Sequence, residues 1–130
     1  MRLFIADDSP YIRERLISML NSVTGLEIVG ESENIQDTIK SIDALKPDAA
    51  ILDIRMPGGS GIDVLEHFQN KTYPNLKIIF TNYPYPQYKK RCLNKGAHHF
   101  LSKSEDFNKI IEILESVIGK KSLGSSTVFT

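Results

Sequence analysis

Short apolar runs alternate along the chain with segments whose apolar positions recur every three or four residues. Arg2 to Ala6 reads as a strand, and Ile12, Leu16, Ile17, Leu20 and Val23 then recur at helical spacing. Ser9 suits the cap of that helix. Pro10 suits its first turn, where a missing amide donor costs no helical hydrogen bond. Leu26 to Glu31 alternates as a half-exposed strand does. Ile35, Ile39, Ile42 and Leu45 mark a second helix, stopped by Pro47. Ala49 to Asp53 is a third strand. Ile62, Leu65 and Phe68 mark a third helix capped by Ser60, and Leu76 to Thr81 is a fourth strand. Tyr88, Cys92 and Leu93 give a weaker fourth helix, and His98 to Leu101 a fifth strand. Phe107, Ile110, Ile111, Leu114, Val117 and Ile118 give a strong last helix. Ser104, Glu105 and Asp106 before it have the polarity that a helix N-terminus favours.

Strands and helices in strict alternation imply a parallel sheet with helices on both faces. The first, third and fourth strands are almost continuously apolar, as central strands are. The second and fifth carry Glu27, Glu31, His98 and His99, which places them at edges. The expected fold is therefore α/β: a doubly wound (βα)5 flavodoxin-like sheet of order 2-1-3-4-5. With 130 residues the expectation is one domain over residues 1–119. A mobile tail or linker start is expected over residues 120–130, where Gly124, Ser125 and Ser126 cluster.

Composition narrows the function classes. Lys plus Arg number 16 and Asp plus Glu number 16, so there is no basic excess of the kind a chain devoted to nonspecific nucleic-acid binding would show, which leaves room for a local patch. One cysteine permits no internal disulfide. No apolar run approaches the roughly 18 residues of a membrane span, and the opening Leu3–Ala6 is too short for a signal core. The expected location is cytoplasmic, with no membrane association.

In a doubly wound sheet the functional crevice lies at the carboxyl ends of the strands, where the strand order reverses. Asp7 and Asp8 end the first strand, Asp53 the third and Thr81 the fourth, and Lys103 follows the fifth. Three carboxylates in one crevice repel each other and call for a cation. Mg²⁺ suits a site with few oxygen ligands and several waters. Lys103 adds a point charge suited to phosphate, and Thr81 a hydroxyl donor. An aspartate can itself attack phosphorus and form an aspartyl-phosphate. Cation and ammonium would then offset charge on the transferring group.

With these residues in place, the chain resembles the receiver domain of bacterial response regulators, from about Arg2 to Gly119. The resemblance rests on a set in chain order. Asp7-Asp8 is followed by Asp53-Ile-Arg-Met56-Pro57 with Gly61 downstream. Thr81 follows Phe80, Lys95-Gly96-Ala97 precedes the fifth strand, and Phe100 stands shortly before Lys103. The resemblance implies that Asp53 is the phosphoacceptor. It implies that Asp8 binds Mg²⁺ directly, that Asp7 acts mainly through water and that the Arg55 carbonyl completes the metal contacts. Lys103 would pair with the phosphoryl group, Thr81 would turn toward it, and Phe100 would be the switch aromatic. The implied donors are a sensor histidine kinase, a histidine phosphotransfer protein, or small molecules such as acetyl phosphate. The implied output is altered binding of a downstream protein, or a homodimer, through the helix 4–strand 5–helix 5 surface. Such a domain is not an enzyme beyond its own phosphorylation and dephosphorylation.

The chain departs from the common pattern at several places. Asn82 stands after Thr81 where a small residue is usual, so it could restrict access to the phosphoryl group. Arg55 and Tyr83 occupy positions that tune phosphate lifetime in the family, and both are bulky. Ser104 replaces the usual proline after Lys103. Pro84 and Pro86 are expected to delay or shorten the fourth helix. Phe100 lacks the hydroxyl of a tyrosine switch.

Other readings use the same crevice. An aspartyl-nucleophile phosphohydrolase would carry a second aspartate where Arg55 stands. A flavodoxin would hold flavin phosphate in its first loop, where Asp7 and Asp8 repel it. A receiver that binds partners without phosphorylation remains an alternative, with Asn82 in its favour. Outside the crevice, Lys89-Lys90-Arg91 reads as a solvated helix face and Cys92 as a semi-buried helix residue. Tyr83, Tyr85 and Tyr88 fit either a docking patch or partly exposed packing. Gly58, Gly59 and Gly61 read as loop glycines, since no phosphate-loop motif is present.

Overall fold

A computed structural model describes the backbone of residues 1–127 and the side chains of residues 1–120. The chain runs β1 (Arg2–Ala6), α1 (Pro10–Leu20), β2 (Glu27–Ser32), α2 (Ile35–Leu45) and β3 (Ala49–Leu52). A two-strand turn follows, β4 (Arg55–Met56) and β5 (Gly59–Ser60), then α3 (Gly61–Phe68) and β6 (Leu76–Thr81). The chain closes with α4 (Pro86–Asn94), β7 (His99–Ser102) and α5 (Phe107–Thr127). The five long strands are all parallel and ordered β2-β1-β3-β6-β7. In chain order of those strands this is the expected 2-1-3-4-5.

Alternation along the strands divides the core between the two faces. Leu3 and Ile5 of β1 pack with Leu16, Leu20, Ile110 and Leu114 of α1 and α5. Phe4 and Ala6 point the other way, toward Ile42, Leu65 and Phe68 of α2 and α3. Each fully buried side chain of this size contributes about 1.5–3 kcal/mol. The register keeps strand ends level. Ala6 pairs with Leu52 and Ser32, Leu52 with Ile79, and Thr81 with Ser102. The residues just past these ends therefore meet at one rim.

Local chemistry sets the helix ends. Ser9 accepts from the Ile12 amide at 3.3 Å, with Pro10 in the first turn of α1. Lys46, at φ 47°, ends α2 just before Pro47. Ser60 and Asp63 cap the start of α3 reciprocally, each side chain taking a backbone amide of the other's turn. Pro86 opens α4, and Tyr85 at its cap position makes no side-chain cap. The helix starts late, as the two prolines suggest.

Some details differ from the sequence reading. The loop after Asp53 contains the small antiparallel pair β4–β5, too short for any periodicity to reveal. The last long strand begins at His99, and the ring Nδ1 of His98 accepts the Lys77 amide at 3.0 Å. Lys77 interrupts the otherwise apolar β6. It is buried, its Nζ donates to the Phe68 carbonyl at 3.4 Å, and burial holds its ammonium below the ordinary lysine range. Cys92 is fully buried rather than half-buried, and burial pushes its thiol up to about 11. The expected tail from residue 120 falls on a backbone that is helical to Thr127. Residues 128–130 of that expected tail lie outside the described residues.

Candidate functional site

The strand ends deliver the acidic residues to one rim. β1 runs straight into Asp7, whose amide donates to the Ser32 carbonyl of β2 at 3.0 Å. β3 runs into Asp53, whose amide donates to the Ala6 carbonyl at 3.0 Å. Lys103 follows β7, and its amide donates to the Thr81 carbonyl at 2.9 Å. Backbone bonds between neighbouring strands thus fix the Cα positions of the key side chains before any side-chain contact forms.

Lys103 Nζ lies 2.6 Å from Asp7 Oδ2 and 2.8 Å from Asp53 Oδ2. All three side chains are at least nine-tenths buried. The other Asp53 oxygen accepts the Ile54 amide at 2.8 Å, and the other Asp7 oxygen accepts the Ser9 amide at 2.9 Å. Burial pushes the Asp53 carboxyl above the ordinary aspartate range, against the pull of the Lys103 ammonium beside it. Burial also works against the Lys103 charge, but the two carboxylates prevail and hold it above the ordinary lysine range.

Asp8 is exposed and completes the cluster. Carboxylate oxygens of Asp7, Asp8 and Asp53 lie within 4.8 Å of one another. A set of hard oxygen donors with one open, exposed side fits Mg²⁺, which takes few protein ligands and keeps several waters. A softer metal would call for thiolate or imidazole ligands, and the cluster contains neither.

Thr81 is fully buried at the end of β6, and its hydroxyl accepts the Tyr83 amide at 3.0 Å. Tyr83 in turn lies under Arg55, whose guanidinium is centred 3.8 Å from the ring. Tyr85 follows at 6.4 Å and Tyr88 at 5.9 Å between successive ring centroids. The three tyrosines thus form a ladder, and its first ring is tied to the loop after Asp53. Asn82 is exposed beside this stack. Phe100 is half-buried on β7 and packs against the core cluster containing Cys92 and Ala97. A cleft of about 670 Å³ opens next to the carboxylates; it shares Asp8 with them and continues over Met56 and Ile62 to Tyr88 and Arg91.

Gly61 explains how closely α3 can approach the acidic loop. Its amide donates to the Ile54 carbonyl at 2.7 Å, and a Cβ there would sit 2.1 Å from the Asp53 carbonyl oxygen. That oxygen is backbone, so the loop itself would have to move. Gly61→Ala is expected to cost about 1–3 kcal/mol in urea unfolding, the usual range for overpacking. Wild-type stability in that variant would contradict this geometry.

The sequence therefore located Asp7, Asp8, Asp53, Thr81 and Lys103 at one rim, and the structure brings the carboxylates and Lys103 together there, with the Thr81 carbonyl bonded to the Lys103 amide. It did not reveal the Arg55–Tyr83 stack or the part played by Arg13. Arg13 Nη1 donates to the Asp7 carbonyl at 2.6 Å. Both contacts join residues whose meeting depends on loop paths. The only sequence hint was an arginine one turn after the Ser9 cap.

The chain is similar to known proteins. A family model described as the response regulator receiver domain matches residues 3–115. The chain is 30% identical over 130 residues to the uncharacterized transcriptional regulatory protein YvfU of Bacillus subtilis, covering 99% of this chain and 65% of that one. It is 38% identical over 119 residues to protein-glutamate methylesterase/protein-glutamine glutaminase 1 of Carboxydothermus hydrogenoformans, covering 90% and 35%. The chain thus spans less than two thirds of the length of either relative. The signal receiver domain of the putative response regulator NarL from Mycobacterium tuberculosis superposes with a TM-score of 0.81 at 28% identity, covering 89% and 94%.

Proposed function

The chain belongs to the response regulator receiver domain family of two-component signalling, and within that family we propose that Asp53 is its phosphoryl acceptor. The observation that carries this reading is the buried Lys103 ammonium bridging Asp7 and Asp53. It keeps two carboxylates beside each other in a place where burial opposes their charge. It also stands ready for an incoming phosphoryl oxygen. The donors are a sensor histidine kinase, a histidine phosphotransfer protein or acetyl phosphate. An Asp53 oxygen forms a bond to phosphorus as the bond from phosphorus to the donor's nitrogen or oxygen breaks, and the donor leaves with that electron pair.

Asp7, Asp8, Asp53 and the Arg55 carbonyl would hold Mg²⁺. When bound, this ion supplies charge stabilisation for the transferring group. The remaining work falls to the chain. Lys103 exchanges its contact with Asp53 for one with the phosphoryl oxygens. Thr81 turns its hydroxyl toward the new group and releases the Tyr83 amide it holds. Phe100, half-buried beside β6, follows into the space that opens. Arg55, Asn82 and Tyr83 are the residues that tune how readily water reaches the phosphoryl group.

The output is altered binding of a downstream protein or a second copy through α4, β7 and α5. Residues 1–119 form the receiver unit, a reading that the family match over residues 3–115 supports. The work of the domain is cytoplasmic signalling, with no catalysis beyond its own phosphorylation state. Among the described residues no helix is long and apolar enough to cross a membrane.

Beryllofluoride, which mimics a phosphoryl group, tests the reading without a kinase. Mg²⁺ and beryllofluoride together are expected to raise the melting temperature beyond Mg²⁺ alone. A ligand at about 100 times its Kd stabilises by about 2.7 kcal/mol. No added stabilisation by beryllofluoride would contradict phosphoryl binding at Asp53.

A further inference from the structure

We propose that Arg13 is a positioning residue for the cation-binding carboxylates, holding the Asp7–Asp8 peptide so that Asp8 faces the cluster. The inference rests on the function proposed for that site. Arg13 stands one turn into α1, its amide donating to the Ser9 carbonyl at 3.1 Å. Its side chain is only 14% exposed, although it ends in a charge. Nη1 donates to the Asp7 carbonyl at 2.6 Å, Nε donates to Glu31 Oε1 at 2.8 Å, and Nη2 lies 3.9 Å from Glu33 Oε2.

Asp7 and Asp8 are restrained very differently. Both carboxylate oxygens of Asp7 are engaged, by Lys103 and by the Ser9 amide, and its own amide is bonded to Ser32. The Asp8 carboxylate is exposed and has no donor among the described residues. The direction of its Cα–Cβ bond therefore follows from the peptide that precedes it. The carbonyl of that peptide is the atom Arg13 grips. Glu31 and Glu33 balance the guanidinium charge, so a cation nearby is not repelled by it. A lysine could reach one of these partners as a point charge but could not span carbonyl and carboxylate with a fixed fork. Groups that hold metal ligands from behind typically account for about 10–100-fold in metal affinity.

Mg²⁺ titration by calorimetry on the full chain, compared among wild type, Arg13→Ala and Arg13→Lys, tests this. Arg13→Ala is expected to weaken Mg²⁺ binding about 10-fold, with a smaller loss in Arg13→Lys. Arg13→Lys is also expected to melt close to wild type without metal. With acetyl phosphate as donor, the Mg²⁺ concentration giving half-maximal phosphoryl uptake should rise in both variants, while the rate at saturating Mg²⁺ stays near wild type. A purely structural role would not split the two quantities in this way. If Arg13→Ala does not fold, Arg13→Lys alone decides. Unchanged Mg²⁺ affinity in a folded variant overturns the proposal. So does a reduced saturating rate with unchanged half-saturation. A wild-type chain that binds no Mg²⁺ overturns both this inference and the site reading beneath it.

Discussion

Asp53→Asn is expected to take up no phosphoryl group, whether from acetyl phosphate or from a histidine donor. The amide keeps the shape of the side chain and removes the nucleophilic charge. The fold should survive and, without metal, become more stable. The sign follows from burial. The folded Asp53 carboxyl titrates above its ordinary range, so its contribution to stability is present at low pH and lost as pH rises through that raised value. At neutral pH the charged form therefore works against folding, and an uncharged amide removes that cost. Lys103 retains its 2.6 Å contact with Asp7. Intact mass and a metal-free thermal melt, read on the same sample, check both halves. A phosphorylated Asp53→Asn would place the acceptor elsewhere. A marked fall in its metal-free melting temperature would contradict the electrostatic description.

Lys103→Ala is expected to be the most damaging single change at the site. It removes the ammonium that bridges two buried carboxylates, each within 2.8 Å of it. Breaking a buried pair from one side costs about 3–5 kcal/mol, because the remaining charge is left uncompensated. Without Lys103 the Asp53 carboxyl loses the interaction that pulls its titration downward. Its stability contribution is again retained at low pH and lost as pH rises, so the deficit should be larger at about pH 8 than at about pH 5. Urea unfolding in a metal chelator at both values measures it. Phosphorylation should also lose its consequence. Hydrogen exchange over residues 81–88, which respond to beryllofluoride in wild type if Thr81 turns, should stay unchanged in the variant. Equal stability of variant and wild type at the higher pH would contradict the bridging role of Lys103.

Much of this site was legible in the sequence because the fold delivers it by backbone alone. Once alternating strands and helices imply a parallel sheet, the residue after each strand must stand at one rim. Asp7, Asp53 and Lys103 are such residues, and Thr81 is the last residue of its strand. The edge assignments followed equally from Glu27, Glu31 and the histidines. What stayed hidden was set by loops and by side-chain reach. The β4–β5 pair spans two residues a side, below any periodic signal. Gly61 looked like a loop glycine, yet it is where α3 meets the Asp53 carbonyl. Arg55 and Tyr83 stack because two loops converge above the sheet, and no spacing encodes that. Lys77 lies in a strand read only as almost continuously apolar, and the structure buries it against the Phe68 carbonyl.

The central claim is that Asp53 receives a phosphoryl group with the help of a divalent cation. Intact-protein mass after incubation with acetyl phosphate, with and without Mg²⁺, tests it most directly. The expected result is a gain of one phosphoryl group that requires Mg²⁺ and is absent in Asp53→Asn. A wild-type chain that gains no mass from acetyl phosphate or a phosphohistidine donor, and is not stabilised by beryllofluoride, would contradict it.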